Sequence, residues 1–339
     1  MAEEKTYGGA VFRPAADKKD PPPDTEKLKA KLSRKALIAP VMSIVVMILM
    51  FVTRAADSSL YSMRDNIYLS VIILQLMVFA LPGIFMLRLK GTGAVMKLNF
   101  RSLKVKHIRF IVYSAFTLIG SAILMKTAMY RLGIYSGEFT FFGRFVPYGS
   151  IRTDFSGIAY LIIAFAVVPT FVEEFVYRCL IFCEYRDLAG GVLTALVTSL
   201  MYSLLSYSFT QLPLYFMVGM ILCFVVSVTG SVWAAMIVRF AYSLLSLLFE
   251  YNLSTLLRTS GSLVFPTFVT AALTAVFFCL ALSQAERFYG EYAAEGRKKP
   301  DFTALSFGRR AFVTGFSPTL MICVVIFAAG VIIASRWAI

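Results

Sequence analysis

Histidine is nearly missing from this sequence: His107 is the one such residue in 339. The imidazole that usually titrates near neutral pH, and that most often holds transition metals, is therefore scarce. Charge is scarce too. Acidic and basic residues together make up 15% of the chain, against 59% hydrophobic, and the apolar residues gather in long blocks. A soluble domain does not have this composition. The five cysteines, Cys179, Cys183, Cys223, Cys279 and Cys323, all fall in apolar runs. They are expected to be free thiols packed as small core residues. Cys179 and Cys183 are four apart, but two thiols without a neighbouring histidine make a poor metal site. No period of 20 to 50 residues repeats, which argues against a repeat-built transporter. No cleavable leader is expected, since about 35 polar residues precede the first apolar run, which then reads as a retained span. The formal charge of +14 is not taken as a nucleic-acid signal. The basic residues sit between the apolar blocks, where the positive-inside rule puts them.

Nine apolar spans are expected, at 36–53, 67–87, 108–126, 156–182, 190–208, 212–228, 231–249, 263–283 and 314–335. With the N-terminus inside, Lys and Arg divide roughly three to one in favour of the inner side. The predicted fold is an all-α polytopic membrane bundle of about nine transmembrane helices, N-in and C-out. Residues 1–35 read as a disordered basic cytoplasmic tail, broken by Pro21-Pro22-Pro23, with a short basic helix possible from Thr25 to Lys35. Residues 36–283 form the bundle, 284–313 a cytoplasmic loop, and 314–339 a last transmembrane helix.

Within the fourth span, the apolar run from Ile158 to Phe182 carries Glu173, Glu174 and Arg178. A charge at mid-membrane costs roughly 2.5 to 3.5 kcal/mol even on a lenient scale, so three need partners or water. Residues four apart share a helix face. Glu174 and Arg178 are such a pair, with the acid N-terminal, while Glu173 points about 100° away and has no local cation. Glu173 is a functional group, or it has a partner on another helix, or the whole set is one buried network fixing helix register. Arg239, in the seventh span, is the other unexplained charge. Glu173 lies about nine residues from the inner end of its span, roughly 14 Å, and Arg239 about eight, roughly 12 Å. Similar depth and opposite sign predict that they pair, or share a wet cavity.

The pattern Pro169-x-x-x-Glu173-Glu174-x-x-x-Arg178 in a membrane helix resembles the CPBP family, the type II CAAX prenyl endopeptidases and their bacterial relatives named for abortive infection. The resemblance covers about residues 85–250, with Lys97-Leu98-Asn99-Phe100-Arg101 similar to the family's cytoplasmic lead-in. It implies a CAAX-protease-like core, a multi-pass protein of a bacterial plasma membrane, and a glutamate that activates water. The family's second motif, an aromatic followed four residues on by histidine, falls on Tyr202 and Ser206. Its third, Trp-Ala-Pro-x-x-x-His with Asn four residues on, falls on Trp233-Ala234-Ala235 through Arg239 and Ser243. Gly219 and Thr229-Gly230-Ser231 keep the family's spacing. Carried over, the site positions are Glu173 as base, Glu174 and Arg178 as helix supports, and Ser206, Arg239 and Ser243 in place of His, His and Asn.

That substitution pattern is poor for hydrolysis. A general base needs a pKa near the working pH, and a guanidinium beside a carboxylate lowers it. A serine hydroxyl does not exchange protons as imidazole does, and two glutamates without His or thiolate make a thin zinc site. The expectation is a pseudoprotease without cofactor or metal that binds or regulates a membrane protein, or a lipidated or transmembrane peptide, through the family's cavity. Two alternatives stay open: an active glutamate-dependent endopeptidase with an altered centre, to which a zinc ion would belong, and a transporter gated by the ion pair. Gln75 in the second span is expected to satisfy a neighbouring helix. Tyr160, Tyr177 and Tyr215 are placed near the site. Asn252-Leu253-Ser254 matches a glycosylation sequon, and residues 284–312 carry a helical pattern to Glu295 that reads as a solvated face.

Overall fold

A computed structural model describes residues 25–60, 67–90, 102–134, 140–141, 144–145, 155–259, 264–294 and 307–337. The lead-in at 97–101 and the tail before residue 25 lie outside the described residues, as do 295–306 and the side chains of 252–254.

The chain is a polytopic helical bundle. Helix α1 runs Thr25–Leu60. Helix α2, residues 67–90, is Ile67–Gln75 and Leu81–Lys90 joined by a π-helical turn at Leu76–Ala80. Helix α3 is Ile108–Arg131. Helix α4, residues 155–189, holds two π-helical segments, Ile163–Val167 and Phe175–Ile181, on either side of Val168–Glu174. Then follow α5 (Gly191–Leu204), α6 (Leu212–Thr229), α7 (Val232–Thr259), α8 (Val264–Ala294), the short α9 (Phe307–Gly315) and α10 (Pro318–Trp337). Among the described residues, five helices are long and apolar enough to cross a membrane, and four shorter apolar ones accompany them at 37–53, 191–204, 232–247 and 318–333. These nine correspond to the nine expected spans. A two-residue ladder, Thr140–Phe141 against Arg144–Phe145, lies between α3 and α4.

Helix directions fix what meets what. Tyr68 stacks on Tyr160 with ring centroids 6.3 Å apart. Farther along, a Cβ on Gly83 would come within 2.7 Å of Phe175. So α2 and α4 run parallel. Against α4, α7 is antiparallel, because Val232 and Met236 pack on Cys179 while Leu247 packs by Ala164 and Phe165. An alternating series requires these senses for its second, fourth and seventh members.

Small residues set the close approaches, as they do between membrane helices. A Cβ on Gly219 of α6 would lie 3.0 Å from the Cα of Ser199 on α5. Between α6 and α7, Gly230 takes φ +64°, and its N–H caps α6 by donating to the Val226 carbonyl at 2.8 Å. A residue with a Cβ rarely adopts that φ. The sharp turn sends α7 straight back along the bundle.

Four expectations are corrected. His107, which falls among the basic residues between the second and third apolar runs and so reads as a basic-loop residue, is instead 4% exposed at the start of α3 and sits edge-on to Phe288 of α8, centroids 5.0 Å apart. Beside it Lys106 pairs with Glu291 at 2.5 Å. Cys279 is exposed on α8 rather than packed in the core, although Cys179, Cys223 and Cys323 are buried and all five thiols are free. Gln75 is fully buried, yet neither atom of its amide has a hydrogen-bond partner, so it satisfies no neighbouring helix. Tyr160 is 53% exposed and belongs to the outer α2–α4 seam, away from the charged residues.

Candidate functional site

The central charges come from two antiparallel helices. Pro169 opens the segment Val168–Glu174, and having no N–H it cannot donate to the preceding turn. The π segment at Ile163–Val167 absorbs that interruption, and a second begins right after Glu174. Such turns within a helix often mark functional places. Despite the second one, Arg178 Nε lies 3.2 Å from Glu174 Oε2, the local pair expected from their spacing, with side chains 1% and 0% exposed.

Arg239 of α7 reaches the other acid. Its Nη2 donates to Glu173 Oε2 at 2.6 Å. Its Nη1 donates to the Tyr202 hydroxyl and lies 3.8 Å from Glu174 Oε1. The predicted pairing of Glu173 with Arg239 is therefore direct. Two carboxylates and two guanidiniums sum to zero, and this neutrality makes the cluster tolerable in an apolar bundle.

Tyr202 ties the two pairs together. Its hydroxyl donates to Glu173 Oε2 at 2.9 Å. The Arg178 guanidinium carbon sits 4.5 Å from its ring centroid and that of Arg239 5.2 Å, both within cation–π range. Tyr177 and Tyr215 pack on the same ring at 5.3 and 5.6 Å, and the Tyr177 hydroxyl meets Ser43 of α1 at 3.2 Å. Sequence reasoning kept Tyr202 only as a motif aromatic. Its place four residues before Ser206 was the available signal, but a phenol bridging two arginines needs the third helix in position.

The remaining positions divide. Ser243 lies one turn beyond Arg239 on α7 and is partly buried. Ser206 follows the end of α5, where its hydroxyl donates to the Ser208 carbonyl at 3.1 Å and accepts from the Ser208 N–H at 3.4 Å. It shapes the α5–α6 turn, together with Tyr207, whose φ of +46° is held by a bond to the Met47 carbonyl at 2.7 Å. Glu173, Glu174, Arg178, Tyr202 and Arg239 thus form one contiguous cluster, and Ser206 is not bonded to it.

The donor set does not suit a zinc ion. Glu173 already accepts from a guanidinium and a phenol, and a second metal-ligand type is wanting: among the described residues no three His, Cys, Asp or Glu side chains converge. A fixed cation at 2.6 Å from the carboxylate opposes a second one.

Residues 155–245 match the family model described as type II CAAX prenyl endopeptidase Rce1-like. The matched stretch holds Glu173, Glu174, Arg178, Tyr202, Ser206, Arg239 and Ser243 and is shorter than the 85–250 expected. No curated protein and no solved structure matches the chain.

Proposed function

Residues 155–245 match the type II CAAX prenyl endopeptidase Rce1-like family model, and on that similarity we propose that this membrane protein binds rather than cleaves its partner. The carrying observation is the occupancy of one oxygen. Glu173 Oε2 accepts from Arg239 at 2.6 Å and from Tyr202 at 2.9 Å. A general base must offer a lone pair to water at hydrogen-bond distance, with a pKa suited to taking its proton. At the place of the family's first histidine, Ser206 spends its hydroxyl on a turn.

The partner is a membrane-embedded one, a transmembrane segment or a lipidated chain end. Glu173 and Arg239 keep about a tenth of their side-chain surface open, 10% and 9%, whereas Glu174 and Arg178 keep almost none. The accessible edge of the cluster is therefore the Glu173–Arg239 side. The partly buried surface of α7 from 240 to 247 continues it.

The test uses the full-length protein in lipid vesicles with a farnesylated CAAX-type peptide and a transmembrane peptide. The expected result is saturable binding without cleavage by the native chain and by Glu173→Gln. The double substitution Ser206→His with Arg239→His is the positive arm, and turnover appearing there supports a silenced centre. Cleavage by the native protein that Glu173→Gln abolishes would establish the active endopeptidase instead.

A further inference from the structure

The cluster has a second side that the pairing with Glu173 does not use. Neither oxygen of Glu174 has a hydrogen-bond partner, nor does any nitrogen of Arg178, nor Arg239 Nε, nor the Thr170 hydroxyl. All four residues are buried, Glu174 at 0%, Arg178 and Thr170 at 1% and Arg239 at 7%. Thr170, Glu174 and Arg178 follow one another at intervals of four along α4 and so form a column on one face. The Glu174–Arg178 contact of 3.2 Å supplies attraction, but its direction does not make a hydrogen bond. The ring of Tyr202 covers a face of the Arg178 guanidinium, yet the N–H groups lie in the guanidinium plane and point past that ring.

We propose that Glu174, Arg178 and Thr170 bind ordered water inside the bundle, beside the ion-pair cluster. The chemistry selects the ligand. Donors and acceptors are both in excess, so the occupant must both give and take hydrogen bonds. The two acids and two guanidiniums already cancel, so an ion would leave a net charge among apolar helices. Water meets both conditions, and a buried water needs two to four polar partners. Buried charged groups left without bonds are otherwise rare. This site does not rest on the binding reading: it would be present whether or not the protein cleaves anything.

Hydroxyl-radical footprinting of the folded protein in vesicles tests this, because radiolysis of a bound water oxidises side chains beside it. Tyr202, which is 1% exposed and lies against Arg178, is the reporter. Met47 is the dry control: it is 0% exposed in the apolar core, and its sulfur is intrinsically the more reactive group. The expected result is at least severalfold faster oxidation of Tyr202 than of Met47, lost when Glu174→Leu and Arg178→Met are combined. If that variant does not fold, Thr170→Val is expected to reduce the Tyr202 rate while Met47 stays unchanged. Equal, background-level labelling of Tyr202 and Met47 in the native protein would overturn the proposal. So would Tyr202 labelling that persists undiminished in the folded Glu174→Leu, Arg178→Met protein.

Discussion

Replacing Arg239 with methionine removes a guanidinium but keeps an unbranched chain of similar length. In the native bundle the charge lies 2.6 Å from Glu173 Oε2. At an effective dielectric of 20, direct attraction at that distance is about 6 kcal/mol, and desolvation of the two groups cancels much of it. What the single substitution exposes is therefore the stranded acid. Breaking one partner of a buried pair typically costs about 3 to 5 kcal/mol. The same change frees the Tyr202 hydroxyl from its bond with Arg239 and removes one of two cations near Glu174, so Arg239→Met is expected at the upper end of that range. Adding Glu173→Met should restore most of the loss, because two apolar side chains replace the pair as a unit. A double-mutant cycle of equilibrium unfolding in detergent micelles reads this as a coupling energy, expected to exceed about 2 kcal/mol. Additive effects within about 0.5 kcal/mol would show that the pair is not energetically real, and would remove the basis for a neutralised base.

Tyr202→Phe keeps the ring beneath both guanidiniums and loses the charge-assisted bonds, so it should destabilise by about 1.5 to 3 kcal/mol. Tyr202→Leu should cost about 1 kcal/mol more through the lost cation–π contacts, measured in the same unfolding assay. Gln75→Leu should stabilise the protein by about 1 to 3 kcal/mol, since it removes a buried amide that has no partner; a marked loss of stability would mean the amide is satisfied. Gly219→Val should disrupt α5–α6 packing, because its Cβ would meet the Ser199 backbone at 3.0 Å, and thermal stability should fall while Gly290→Ala, in open space, leaves it nearly unchanged. Glu291→Ala should leave thermal stability nearly unchanged, since its pair with Lys106 is over one-third exposed on each side.

Much of this protein was legible from residue order alone because the bilayer is a strict solvent. Every long apolar run had to become a helix, since unpaired backbone groups are not tolerated in lipid, and the nine runs appear as nine apolar helices. The same severity made Glu173 and Arg239 conspicuous: each charge was too expensive to stand alone, and their depths matched. The Glu174–Arg178 pair followed from a spacing of four within one helix. Tertiary structure decided what depends on how helices face one another. The phenol of Tyr202 lies between two arginines only because α5 crosses where α4 and α7 meet. Ser206 left the cluster because α5 ends at Leu204, two residues earlier, and a hydroxyl past a helix end finds the turn's own backbone first. Burial of Gln75 and His107 without partners was equally invisible in sequence, since polarity predicts that a side chain needs a bond but not that the neighbouring helix will offer one.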